Sequence, residues 1–336
     1  MLIWLQFAIC VLAIGYAGVK LSVYGDVIAD KTGLGGTWIG LIMLATVTSL
    51  PELATGISSV GIVGVPDIAV GDVLGSCVFN LLIIALLDLL KQDESIYVQA
   101  RRGHILSAGF GILLIAVAGL NILLASSGID LALGHLGLYT PVIGLLYFVA
   151  MHTIFRYETL RLQAAADQEP DRYPELTLRQ VMFRYSLAAS VVVAAGVWLP
   201  YVAEEMARIM NWKQSFVGTL FVAFVTSLPE IVVTIAALRI GALDMAVGNL
   251  LGSNLFNILI LAIDDAVFLR GPLLSHVSPS HGASAYTAIM MTVAVIIGFL
   301  YRRENRVFKT IGWPSILLVL LYLLNAFILY SYGGTH

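Results

Sequence analysis

The hexapeptide VTSLPE occupies Val47–Glu52 and returns letter for letter at Val225–Glu230, 178 positions later. Both copies sit inside long apolar stretches. Proline has no N–H, so Pro51 leaves the carbonyl of Val47 without its helical donor, and Pro229 does the same to Val225. At membrane depth such a carbonyl is tolerated only against protein or a water-filled cavity. Glu52 and Glu230 follow at once, and a charged side chain facing lipid costs about 3 kcal/mol or more. A chain that carries this combination twice is building a polar feature inside an apolar body.

The rest of the composition agrees. The 336 residues are 59% hydrophobic and only 12% charged, with a mean hydropathy of +0.93. Soluble domains carry about 25% charged residues, so the bilayer is the expected solvent. The net charge of −3 gives no sign of a nucleic-acid partner. Cys10 and Cys77 both lie in aliphatic surroundings and suggest buried thiols rather than a disulfide framework. Met1–Val19 lacks a basic leader and runs on into further helix, so it reads as a first span.

Crossing the hydrocarbon takes about 20 apolar residues as helix. Ten stretches qualify: 2–29, 35–61, 66–90, 103–125, 134–155, 180–207, 213–239, 243–268, 283–301 and 311–331. Between the fifth and sixth lies a polar run, Arg156–Arg179, expected to be a solvated linker between residues 1–155 and 180–336. With the N-terminus outside, fourteen Lys and Arg fall in inner loops and three in outer loops. That bias places both termini outside and the linker within.

The repeat extends beyond the hexapeptide. DIAVGDVLGSCVFNLLIIALLD at Asp67–Asp88 matches DMAVGNLLGSNLFNILILAIDD at Asp244–Asp265 in 13 of 22 positions, now at an offset of 177. Each half holds five spans, an odd number, so equivalent helices cross in opposite senses. The expected fold is therefore an all-α membrane protein of ten transmembrane helices in two five-helix inverted-topology repeats. Transporters of that construction place their site near the midplane, between the repeats.

The candidate ligands follow from helical spacing. Thr48 and Thr226 stand one turn before the glutamates and on the same face, with Ser49 and Ser227 beside them. In the next helix Ser76 and Asn80 are again four apart, matched by Ser253 and Asn257. Carboxylates, hydroxyls, amide oxygens and the freed carbonyls of Val47 and Val225 make an all-oxygen shell. Such a shell suits a hard cation such as Ca²⁺ or Na⁺ and argues against zinc or copper. Gly71, Gly75, Gly248 and Gly252 have the spacing of close helix crossings.

VTSLPE with GDVLGSCVFN, and VTSLPE with GNLLGSNLFN, resemble the two alpha repeats of the cation/calcium antiporter superfamily, and in particular its prokaryotic sodium/calcium exchanger branch. The resemblance covers nearly the whole chain. It implies exchange of Ca²⁺ against Na⁺ in a prokaryotic inner membrane, with no cofactor. It carries the ligand role onto Thr48, Ser49, Glu52, Ser76, Asn80, Thr226, Ser227, Glu230, Ser253 and Asn257. It also implies that the first and sixth helices move as a gate, with Asp26 and Glu204 near their ends.

Three departures stand out. Val47 and Val225 replace a common glycine. The first repeat reads Gly71-Asp72 and Gly75-Ser76-Cys77 where asparagines are common. Asn257 stands where sodium/calcium exchangers often carry aspartate. Two central acids balance one Ca²⁺, two Na⁺ or two H⁺, so an electroneutral cycle is expected unless Asp72, on the face of Asn80, adds a third charge. Asp72 serves either that role or a capping one.

The rival within the superfamily is a Ca²⁺/H⁺ exchanger in which the glutamates carry protons. An intramembrane aspartyl protease needs a second aspartate in a matching motif, and the equivalent of Asp72 is Asn249. A non-transporting scaffold leaves both Pro-Glu breaks unexplained. His276 and His281 read as ordinary loop residues, and His104 as an interfacial one.

Overall fold

Helix follows helix along the chain, because runs of Leu, Ile, Val and Ala are interrupted only at short polar or glycine-marked turns. The computed structural model describes residues 2–32, 45–91, 94–99, 103–162, 175–301, 306–307 and 311–332. In order these give α1 (Leu2–Lys31), α2 (Leu50–Ser58, prolonged by a π-turn over Ser59–Val63), α3 (Pro66–Leu90), α4 (Gly103–Ser126) and α5 (Tyr139–Leu162). Then come α6 (Leu178–Met210), α7 (Gln214–Thr226), α8 (Leu228–Arg239), α9 (Leu243–Val267), α10 (His281–Tyr301) and α11 (Trp313–Tyr332). Two-residue antiparallel hairpins stand just before α5 and α11.

Local chemistry sets the ends. Thr177 and Gln180 form a reciprocal capping box at the start of α6, and Asn211, at φ 53°, closes it in the left-handed region. Gly64, at φ 79°, ends the π-turn after α2. The expected linker over 156–179 is shorter than its composition suggested: α5 continues through Arg156 to Leu162 and α6 begins at Leu178.

Among the described residues, seven helices are long and apolar enough to cross a membrane, or eight if α7 and α8, bent by 45°, count as one span. The expected ten were read from apolar length alone. The first part of the second span, 35–44, lies outside the described residues, and Leu50–Val63 by itself is short. The fifth helix carries Arg156, Glu158 and Arg161 in its last turns.

The helices α3 and α9 form the inner pair: 72% of the apolar window of each is buried, against 28% in α1 and 22% in α11. Around them the crossings are backbone-close. A Cβ on Gly75 would lie 2.4 Å from the Thr219 carbonyl oxygen, and one on Gly71 3.0 Å from the Gly218 Cα, so α3 and α7 touch through glycine. The long helices α1 and α6 pack along each other and meet the two proline breaks in the same way. A Cβ on Gly18 would lie 2.4 Å from Pro229 Cγ. One on Gly196 would lie 2.9 Å from the Ala54 Cβ and 3.3 Å from the Pro51 carbonyl. Cys10 and Cys77 are buried and free.

Two buried carboxylates fasten the ends of the inner pair. Asp88 on α3 accepts from Ser95 Oγ, the Ile96 N–H, the Gly312 N–H and Ser315 Oγ. Asp265 on α9 accepts from the Gly137 N–H, Tyr139 Oη, Thr140 Oγ1 and the Leu273 N–H. Each thus ties its helix to the hairpin before a remote one, α11 or α5. Asp265→Ala would leave two buried backbone donors and two hydroxyls unmet, about 3 kcal/mol or more. The expected result is a melting temperature lowered by several degrees, with Asp265→Asn less affected, measured on detergent-purified protein.

A second pair of polar ties joins helix beginnings. His281 Nε2 lies 2.9 Å from Asp67 Oδ1, and His104 Nε2 lies 3.0 Å from Asp244 Oδ1. The two pairs are related by the offset of 177 (281 − 104 and 244 − 67). His281, read from sequence as a loop residue, is fully buried at the start of α10.

Candidate cation-binding site

Ser49 and Ser227 are the break points of the two VTSLPE segments, with matched backbones at φ −88°, ψ 14° and φ −83°, ψ 7°. Each opens a helix whose first turn contains the proline, where a missing N–H costs nothing. The Ser49 N–H reaches the Ala45 carbonyl at 3.1 Å, and the Ser227 N–H reaches Ala223 at 3.1 Å. The carbonyl of Val225, expected to have no donor, shares that Ser227 N–H. Val47 packs toward α1, its Cγ1 3.5 Å from where a Cβ on Gly25 would lie.

The breaks turn the first residues of α2 and α8 toward each other, and the bonds between them are reciprocal. Ser49 Oγ donates to Glu230 Oε1, and Ser227 Oγ donates to Glu52 Oε1, each at 3.3 Å. The inner pair adds Ser76 Oγ to Glu52 Oε1 at 3.3 Å and Ser253 Oγ to Glu230 Oε1 at 3.4 Å. Thr48 Oγ1 lies 3.3 Å from Ser253 Oγ, and Thr226 Oγ1 lies 3.5 Å from Ser76 Oγ. Eight of the residues singled out from sequence thus form one hydroxyl–carboxylate layer, all fully buried.

In that layer Glu52 Oε2 and Glu230 Oε2 have no hydrogen-bond partner. One turn along α3, Asn80 donates to Asn254 Oδ1 at 3.0 Å, which leaves Asn80 Oδ1 free. Asn257, its counterpart on α9, has neither amide atom paired. Asp72 is brought to the edge of the layer by Thr226, whose hydroxyl lies 2.8 Å from Asp72 Oδ1, while Asp72 Oδ2 is unpartnered.

The sequence reading passed over Asn254. Its amide clamps α3 to α9, accepting from Asn80 and donating to the Cys77 carbonyl at 3.2 Å, and so fixes how Asn80 is presented. The available signal was the Ser253-Asn254 of the second repeat set against the Ser76-Cys77 of the first.

Buried carboxylate and amide oxygens without donors are costly unless a ligand meets them. Among the described residues no three His, Cys, Asp or Glu side chains converge into a metal cage. The shell is two carboxylates completed by neutral oxygens, the donor set of a weakly held hard cation rather than of a resident transition metal.

The family model for the sodium/calcium exchanger protein matches residues 2–156 and 181–331. The chain belongs to that family. As a family member it is a membrane antiporter and not an enzyme, and it needs no cofactor. Among its relatives are the inner membrane protein YrbG of Escherichia coli, 26% identical over 90% of this chain and 89% of that one. The sodium/calcium exchanger MaX1 of Methanosarcina acetivorans is 27% identical over 88% and 92%. Its fold is that of the H⁺/Ca²⁺ exchanger CAX, with a TM-score of 0.70 at 16% identity, covering 97% of this chain and 81% of that chain. It is equally that of the sodium-calcium exchanger NCX_Mj, with a TM-score of 0.61 at 20% identity, covering 98% and 99%. Family membership also disposes of an aspartyl protease; the family member's Asp72 faces Thr226.

Proposed function

We propose that this family member exchanges Ca²⁺ for Na⁺ through the layer between the two VTSLPE breaks, in an inner membrane and with both termini outside. The proposal includes ten spans in two five-helix inverted repeats joined by the polar run after α5. The observation that carries it is the reciprocal bonding of Ser49 to Glu230 and Ser227 to Glu52. Each half thereby supplies a hydroxyl to the other half's carboxylate, as one shared pocket requires. Thr48, Thr226, Ser76, Ser253, Asn80 and Asn257 complete the oxygen shell.

The charge of the pocket governs coupling. Glu52 and Glu230 supply two negative charges, enough for one Ca²⁺ or two monovalent ions. Uncompensated charge in a site that excludes water is expensive, so two Na⁺ per Ca²⁺ are expected. Asp72 engages one oxygen with the Thr226 hydroxyl and keeps the other unpartnered. Reversal potentials in proteoliposomes decide the count: wild-type exchange is expected to be insensitive to voltage, and Asn257→Asp to make it sensitive. A wild-type shift of three-to-one coupling refutes two charges and assigns the third to Asp72, in which case Asp72→Asn restores electroneutrality.

Proton coupling is the second reading, favoured by an uncharged residue, Asn257, on the pocket wall. Radiolabelled Ca²⁺ uptake driven by a Na⁺ gradient at equal pH, against a pH gradient without Na⁺, separates the two.

A further inference from the structure

Four buried acids on the inner pair and α2 fall into two kinds. Asp88 and Asp265 each take four donors. Glu52 and Asp72 keep a free oxygen and belong to the pocket. Asp264 fits neither group. It is fully buried on α9, both of its oxygens lack any partner, and no part of the exchange site uses it.

Its position is specific. A Cβ on Gly56 would lie 2.4 Å from Asp264 Oδ2 and 2.6 Å from Oδ1, so the carboxylate is aimed at the α2 backbone where glycine leaves room. Gly56 is one turn beyond Glu52 on the same helix face. Farther along, Gly61 meets Val267 and Gly64 meets Arg270, so α2 and α9 run side by side to the same end. The Thr55 hydroxyl next to Gly56 is also buried and unpartnered. The ionisable groups within electrostatic range of Asp264 are Asp72 on α3 and Asp265 on α9, both acidic. Arg270, at Gly64, marks the end of the path.

The repeat shows that the acid is an addition. Asp265 corresponds to Asp88 at the offset of 177, so Asp264 corresponds to Leu87, an apolar residue that packs without charge. Asp72, opposite Asn249, is likewise acidic in one half only. Both unmatched acids stand on one side of the central layer.

We propose that Asp264 is a second binding position for a hard cation, reached between the central layer and the face that carries the C-terminal ends of α2 and α9. Asp264 supplies both carboxylate oxygens there, Asp72 lies within electrostatic range, and water completes the shell. The position rests on the exchange reading above for its part in transport, but its occupancy does not.

Two measurements on full-length protein test it. In Glu52→Gln/Glu230→Gln protein, radiolabelled Ca²⁺ is expected to retain weak binding that Asp264→Asn removes. In proteoliposomes, Asp264→Asn and Asp264→Leu are expected to raise the KM for Ca²⁺ about tenfold at the face of the α2 and α9 C-termini, with the opposite-face KM unchanged. Leucine is the residue of the other half, so this variant keeps the packing, and a melting curve monitors it. Residual binding indifferent to Asp264, a KM altered equally at both faces, or a changed pH profile with unchanged KM would each overturn the proposal, the last by making Asp264 a proton carrier. Wild-type protein without Na⁺-driven flux but with Asp264-dependent residual binding would sink the exchange reading and leave this site standing.

Discussion

Glu52→Gln and Glu230→Gln are each expected to lower Na⁺-driven Ca²⁺ uptake about a hundredfold or more while the protein remains folded. Glutamine keeps the Oε1 acceptor that Ser76 and Ser227 use at Glu52, and that Ser49 and Ser253 use at Glu230. The exchange falls on Oε2, which has no protein partner to lose. What disappears is one of two charges that offset dehydration of a divalent ion. A charge-assisted contact contributes about 1.5–3 kcal/mol and each 1.4 kcal/mol is about tenfold, so the upper end of that range corresponds to about a hundredfold. Uptake in proteoliposomes, beside melting temperature and elution volume in detergent, checks both halves of the expectation. Wild-type-like uptake in either variant would place the site elsewhere.

The second large effect concerns architecture. Gly75→Val is expected to abolish the folded state, because its Cβ would enter the space of the Thr219 carbonyl oxygen at 2.4 Å and of the Thr219 Cα at 2.7 Å. Backbone cannot swing aside as a side-chain tip can, so α3 and α7 must part, and the contacts of Ser76 with Thr226 and Ser227 part with them. Gly252→Val, whose Cβ would meet only the Ala45 methyl at 3.1 Å, is expected to cost less. Expression yield and monodispersity of the two variants side by side give the comparison.

Much of this was legible in the chain itself. The proline in each VTSLPE copy forces a break, and the glutamate after it demands a polar surrounding; together they located the layer and eight of its residues. The hydroxyl and amide positions followed from four-residue spacing. What escaped did so for physical reasons. Asn254 reaches Asn80 and Asp88 reaches Gly312 and Ser315, partners 174 to 227 residues away, and nothing local marks such contacts. The His104–Asp244 and His281–Asp67 ties were visible only as a shared offset, and each histidine read alone looks like a loop or interface residue. Asp264 drew no separate notice beside Asp265, and its burial, like that of Asp265, is complete. Apolar length and the described helices differ where a helix is broken or ends in charge, as at Leu50–Val63 and at α5.

The contact of Gly18 with the Pro229 ring, and of Gly196 with Ala54 and the Pro51 carbonyl, bears on how the pocket changes sides. At both points bare helix backbone meets the break: a pyrrolidine ring at Gly18, and a methyl group and a carbonyl oxygen at Gly196. The residue after each proline is a carboxylate of the proposed cation layer. One turn to either side of Gly18 the bulkier Ile14 and Leu21 replace it, so an axial displacement of α1 would set one of them against the Pro229 ring, next to the Glu230 backbone. Whatever moves α1 or α6 at these points is therefore expected to be felt at the two carboxylates first, one residue beyond each proline.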